Sequence, residues 1–206
     1  MHEHLTNLFL ALGIFSLGLI SIGPNILAII GTSMKWGRAQ GARLAFGVGI
    51  GSGAWALITV TGVTALITAY AHTITILKIA GAAYLLWLAF KSFKSAAIAD
   101  VELVSSMSSE RNLFLTGFLI QMTNPKAALY WIAIVSIGLG ANSPLWVAAA
   151  LVVTSTLLSI LGYTAYAVTF SSQPVINFYN KARRWIEGTL GVFFTFAAFK
   201  LATYKS

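Results

Sequence analysis

The sequence predicts an all-α integral membrane protein with six transmembrane helices, built as two inverted three-helix repeats whose first helices are broken. Three observations carry that prediction: too few charges for a soluble surface, apolar stretches of membrane-crossing length, and a proline motif found in both halves. Of 206 residues, 9% are charged and 58% hydrophobic, and the mean hydropathy is +0.83. Soluble domains average about 25% charged residues. Thirteen basic and five acidic side chains cannot coat a water-soluble body of this size. Composition therefore excludes a soluble enzyme, a disordered tail and a coiled coil. The net charge of +8 does not signal nucleic acid, because basic nucleic-acid modules cluster their charge on a soluble face.

The chain has no cysteine, which removes disulfides and thiolate metal sites. Its three histidines, His2, His4 and His72, are scattered, so neither a metal centre nor a cofactor is implied. The start is not expected to be a signal peptide. Met1 to His4 holds no Lys or Arg, and the apolar stretch from Leu5 to Met34 is too long for an h-region.

A membrane-crossing helix needs about 20 mostly apolar residues. The first span is expected within Leu5 to Met34 and the second within Leu44 to Ala71. The third runs from about Thr73 to Phe90 and contains Lys78. After a polar break come Leu113 to about Gly140, Leu145 to Phe170 and Trp185 to Tyr204. Between Lys126 and Lys181 no formal charge occurs, and Asn142-Ser143-Pro144 supplies the turn that divides the interval. The resulting organisation is a first three-helix repeat at 1–91, a linker at 92–112 and a second repeat at 113–206, all in one membrane domain. Asp100, Glu102, Glu110 and six serines give the linker a flexible composition.

Nine of the 13 basic residues fall in the odd-numbered loops: Lys35, Arg38, Arg43, Lys91, Lys94, Arg111, Lys181, Arg183 and Arg184. The positive-inside rule makes those loops cytoplasmic and places both termini outside. Trp36, Tyr70, Trp146, Tyr179 and Trp185 lie near expected helix ends, where interfacial aromatics belong. The basic charge is thus explained by topology.

The halves resemble one another. Ser21-Ile22-Gly23-Pro24-Asn25 in the first helix is answered by Thr123-Asn124-Pro125-Lys126 in the fourth. Gly81 to Lys91 in the third helix is answered by Gly191 to Lys200 in the sixth. Three spans per half force the second half to insert upside down, and inverted repeats with paired broken helices point to a secondary transporter. Pro24 lies 11 residues before Lys35 and Pro125 lies 14 after Arg111. At about 1.5 Å per residue both sit roughly 16 to 21 Å from the basic side, near mid-membrane. Each proline removes a donor and frees a carbonyl one turn earlier, at Ile20 and Gln121. Such freed groups are tolerated in a membrane only where protein or a watery cavity receives them.

Gly23-Pro24-Asn25, the glycines from Gly47 to Gly53, Lys78 to Leu85, Gly117-Phe118 and Asn124-Pro125-Lys126-Ala127 together resemble the LysE/RhtB exporters of lysine, threonine, homoserine and related amino acids. The match covers nearly the whole chain. It departs at Ile22, where the family usually has a second proline, which bears on how far the first helix unwinds. The resemblance implies export of small neutral or basic amino acids across a bacterial plasma membrane by alternating access, coupled to the proton gradient. The implied partners are the amino acid, the lipid bilayer and protons. A homo-oligomer is left open, and nucleic acid is not among the partners.

The expected substrate-binding residues are Gly23, Pro24, Asn25, Gln121, Asn124, Pro125 and Lys126. A lysine at depth costs about 2.5–3.5 kcal/mol, so it normally faces a cavity or a partner. Lys126 can receive a carboxylate or release a proton; the alternative is a structural lysine bonded to carbonyls. Lys78 is shallower and has an equal claim to reaching the interface. Asn25 and Asn124 offer both donors and acceptors to a zwitterion, or else bond between helices. Gly47, Gly49, Gly51 and Gly53 give two overlapping GxxxG spacings, which read first as close helix packing. Tyr84, Tyr130 and Trp131 read as core or lipid-facing. Glu187 is the one carboxylate expected in any span, so proton coupling falls to Lys126, Glu187 or the substrate itself. Two rivals are weaker. An ion or metal-cation exporter lacks ligands of the right kind, and an intramembrane hydrolase lacks a nucleophile–base pair.

Overall fold

A computed structural model describes residues 2–21, 23–69, 73–97, 112–139 and 143–203. Among these residues the chain is all-helical. The elements are α1 (His2–Gly18), α2 (Pro24–Trp36), α3 (Arg38–Ala69), α4 (Thr73–Ala97), α5 (Leu113–Met122), α6 (Pro125–Gly138), α7 (Leu145–Thr169) and α8 (Gln173–Thr203).

Eight helices arise where six apolar stretches were expected because both prolines break the chain outright. Pro24 begins α2 behind Gly23, which is extended at φ −131° and ψ 180°. Pro125 begins α6 behind Asn124, extended at φ −80° and ψ 107°, whose side chain accepts a hydrogen bond from the Lys126 amide. Proline suits a first helical position because its missing N–H would have no partner there. The first break is the wider: α1 ends at Gly18 and α2 starts at Pro24, whereas α5 ends at Met122 and α6 starts at Pro125. Ile22 itself lies outside the described residues, as do most of the linker, Tyr70, His72 and Asn142.

Several helices run past their expected ends, α3 among them, which starts at Arg38 ahead of Leu44. The third expected span continues through Ser92 to Ala97, because Phe93 packs beneath Gly191: a Cβ on that glycine would lie 2.6 Å from the ring. The sixth begins at Gln173 instead of near Trp185, with Arg183 bonded to Ser95 across the same contact.

The segments Arg38–Gly62 and Leu145–Thr169, with mean hydropathies of 1.6 and 2.1, are each long and apolar enough to cross a membrane. The broken helices contribute shorter apolar pieces, His4–Gly18, Leu113–Met122 and Lys126–Gly138. On α7 the usual polarity of a surface helix is inverted. Ser155, Ser159 and Tyr163 are buried, while Val153, Leu157 and Leu161 are more than half exposed. Lipid is the environment that rewards this arrangement.

Packing pairs α3 chiefly with α7 and α5, and α4 with α8. Glycines permit the closest approaches. A Cβ on Gly47 would stand 2.0 Å from the Phe114 carbonyl oxygen, and one on Gly117 would stand 2.1 Å from that of Leu44. Gly51 meets Gln121, while Gly49 and Gly53 meet Ile160 and Thr156. One spacing of glycines therefore serves α5 and the interleaved one serves α7. The expected close packing is what these glycines do.

Candidate functional site

The two breaks converge, and each is bound by donors from the other half. Ile20 and Gln121 are the residues whose carbonyls the prolines should free. The Tyr166 hydroxyl donates to the Ile20 carbonyl at 3.5 Å, and the Trp55 indole N–H donates to that of Gln121 at 3.1 Å. The Lys126 ammonium donates to Ser21 Oγ at 3.0 Å and to the Ser21 carbonyl at 3.3 Å. In return the Tyr84 hydroxyl donates to the Lys126 carbonyl at 2.7 Å. Tyr130 donates to the carbonyl of Ile14 in the last turns of α1. Freed backbone groups in a membrane must find such partners, and here they do.

Beside these contacts lies a buried amide cluster. Asn25 Nδ2 donates to Gln121 Oε1 at 3.0 Å and to the Tyr163 hydroxyl at 3.1 Å. Asn25 and Gln121 are 7% and 2% exposed. This joins α2, α5 and α7 through one residue of each. One step further, Ser159 donates to Ser52 at 3.0 Å, linking α7 to α3. Gly23 lacks a side chain for a local reason: a Cβ there would come within 3.0 Å of Asn25 Oδ1 and 3.6 Å of the Lys126 ammonium nitrogen. Alanine would crowd the approach of the two breaks.

Two cavities meet at Lys126. The smaller, about 40 Å³, is walled by the Asn25, Gln121, Ser52 and Tyr163 cluster and by Phe15, Trp131 and Phe194. The larger, about 480 Å³, is bounded by Gly23, Pro24, Asn124, Lys126, Lys91 and Glu187, among others. The first has room for a few waters, and the second falls in the range that holds small ligands. Ser21, Leu88, Asn124 and Lys126 line both. The amino ends of α2 and α6 open on the larger cavity through Pro24 and Asn124, so partial positive charge is directed toward it. Lys126 and Lys91 add full positive charge, and Glu187, 3% exposed, brings the negative one.

Gly23, Asn25, Gln121, Asn124 and Lys126 are thus brought together, with Pro24 at the cavity wall and Pro125 at the start of α6. Glu187, expected from sequence as a coupling residue, stands in the same cavity. Tyr84, Tyr130 and Trp131 are buried, as a core reading requires, but Tyr130 and Trp131 also line the smaller cavity. The side chains of Lys78, Pro125 and Lys200 are outside the described residues. Sequence reasoning passed over Ser21, Trp55, Lys91, Tyr163 and Tyr166. A signal for Tyr163 existed: Ser155, Ser159 and Tyr163 recur every fourth residue in an otherwise apolar helix, marking one face that avoids lipid.

The family model described as LysE type translocator matches residues 16–205. The Escherichia coli (strain K12) threonine efflux protein is 28% identical over 187 residues, covering 85% of this chain and 87% of that protein. An uncharacterised membrane protein of the same strain, YahN, is 27% identical over 191 residues, covering 90% and 86%. A homoserine/homoserine lactone efflux protein of Salmonella typhi is 30% identical over 118 residues, covering 56% and 57%. No solved structure matches significantly.

Proposed function

The chain belongs to the LysE type translocator family, a family of transporters and not enzymes, and from that premise we propose that it exports small amino acids from the bacterial cytoplasm. Threonine and homoserine are the first candidates, following the efflux activities for which its relatives are named. The observation that supports this most is the meeting of two half-helix amino ends, Lys126 and Glu187 around one cavity. Half-helix amino ends and an ammonium attract a carboxylate. The Asn25, Gln121 and Tyr163 cluster, behind Lys126, has hydrogen-bonding capacity suited to a small polar side chain.

In this reading α1 with α2, and α5 with α6, act as single broken spans, giving six in all. The pairing of α3 with α7 and α4 with α8 supports an inverted repeat, since equivalent helices lie together across its axis. The linker and the basic loops are cytoplasmic and both termini external. The larger cavity, reached beside Lys91 and Ser95, is then the inward-facing entry, and alternating access closes it while opening the opposite side. Substrate binding that displaces a proton from Lys126 or Glu187 would couple export to the proton gradient.

The test is counterflow. Purified protein in liposomes loaded with unlabelled threonine should accumulate external labelled threonine. A panel of other amino acids added as competitors ranks the substrates. An imposed pH gradient should then drive net movement. Indifference to the gradient would leave facilitated export, and inability to exchange any amino acid would remove the proposal altogether.

A further inference from the structure

We propose that Glu187 receives the substrate's α-ammonium, so that with Lys126 it makes the larger cavity a zwitterion site demanding a free amine and a free carboxylate together. This rests on the amino-acid reading above and deepens it. Glu187 is 3% exposed on a helix that passes the cavity at the level of Lys91, Ser92 and Lys126. A carboxylate held this far from water is retained when it has a partner or a function.

The groups facing Glu187 come from every element around it. Ser92 of α4 donates a hydrogen bond to it, and Lys126 of α6 and Arg183 of α8 act on it by charge. Tyr166 of α7 is within electrostatic reach. Arg183 is held by Ser95 at the cavity edge, with Nη2 donating to Ser95 Oγ at 2.7 Å and to its carbonyl at 3.0 Å. Ser92 has one hydroxyl proton, whereas a carboxylate offers about four acceptor positions. Glu187 therefore keeps acceptor capacity on the side that faces the cavity.

Lys126 has the complementary vacancy. Of the three donors of an ammonium, its contacts with Ser21 Oγ and the Ser21 carbonyl occupy two. The third, together with the amino ends of α2 and α6, is available to a carboxylate. An α-amino acid carries its ammonium and carboxylate on one carbon, and so can address both walls at once. A ligand with either group capped leaves a desolvated charge unpaired, and sites built on buried polar partners reject such ligands strongly.

The experiment is counterflow of labelled threonine in liposomes containing the full chain, with threonine, N-acetylthreonine and threoninamide as competitors. Wild-type protein should prefer threonine over either capped analogue by about ten-fold or more, the scale of one lost charged hydrogen bond. In Glu187→Gln the apparent affinity for threonine should fall about ten-fold. Its preference over N-acetylthreonine should fall toward one, while its preference over threoninamide, set by Lys126, should persist. Glu187→Asp, which keeps the charge but retracts it, should lie between; it decides the matter should the glutamine variant fail to insert. A Glu187→Gln protein with wild-type affinity and wild-type discrimination overturns the assignment alone, since amino-acid exchange still stands. The same holds if that variant loses only gradient-driven transport, which would make Glu187 a proton carrier. Wild-type protein that exchanges no amino acid overturns the export reading and this one with it.

Discussion

Replacing Lys126 with methionine separates binding from folding, because only folding has an opposing contribution. Methionine keeps the length of the side chain and removes the charge. For folding, the ammonium's two bonds to Ser21 are each worth about 1.5–3 kcal/mol as charged hydrogen bonds. Against them stands the roughly 2.5–3.5 kcal/mol cost of placing a lysine at depth. Removing one lysine removes both, so by those same figures the net change in stability should lie between about 0.5 kcal/mol gained and about 3.5 kcal/mol lost. Transport has no such compensation. Losing the partner of a desolvated carboxylate costs about 2–5 kcal/mol, and at about 1.4 kcal/mol per factor of ten that is roughly 30-fold to several thousand-fold in apparent affinity. The assay is threonine counterflow at matched amounts of inserted protein, with a melting curve in detergent alongside. Leu161→Ala, on the outward face of α7 where Leu161 is 67% exposed, is the control and should behave as wild type in both. A Lys126→Met protein that exchanges threonine at the wild-type rate would return Lys126 to a purely structural role.

Tyr163→Phe removes one acceptor from Asn25 Nδ2 while leaving Gln121 in place; exchange affinity should fall by roughly five-fold, about 1 kcal/mol for one neutral hydrogen bond, with insertion unchanged. Gly47→Leu drives a side chain against the Phe114 carbonyl and should lower the melting temperature by the amount that about 1–3 kcal/mol of overpacking produces, without altering competitor ranking in the protein that survives. Trp55→Phe strips one donor from the Gln121 carbonyl, which keeps the Asn124 amide at 3.3 Å; about 0.5–1.5 kcal/mol of stability should be lost for one hydrogen bond, measurable by thermal melting. Single cysteines placed in the linker between Lys94 and Asn112 should react with an impermeant reagent only after the membrane is opened, if the proposed orientation, drawn from nine basic residues on that side, holds.

The breaks were legible because proline acts locally and unconditionally. Pro24 and Pro125 cannot continue a helical ladder whatever surrounds them, so Ile20 and Gln121 could be named as freed carbonyls before any contact was known. Lys126 and Glu187 stood out because charge in an apolar span is expensive. The donors that answer the breaks were harder to see. Trp55, Tyr166 and Tyr163 are ordinary amphipathic aromatics in sequence, and only the crossing of α3 and α7 over the breaks gives their polar tips a target. Helix ends were missed for a related reason. Ser92 to Ala97 reads as polar linker, yet the ring of Phe93 under Gly191 and the bond from Arg183 to Ser95 extend the helix by tertiary contact. Polarity fixed where the apolar spans must stop, while packing decided where the helices did.

The reciprocal bracing of the breaks also sets a timetable for biogenesis. The carbonyls of Ile20 and Ser21 enter the bilayer early in synthesis, but their donors, Lys126 and Tyr166, are more than a hundred residues further along the chain. Until those arrive, the first half carries open backbone groups in a medium without water, where each costs several kcal/mol. It should therefore wait beside the insertion machinery, with its break solvated or shielded, until α6 and α7 are delivered. The second half has no such interval, since Trp55 and Tyr84 are already in the membrane when Gln121 and Lys126 emerge. Interrupting synthesis in the linker should accordingly leave a fragment that is inserted but rapidly degraded, and supplying the missing half from a second message should rescue it.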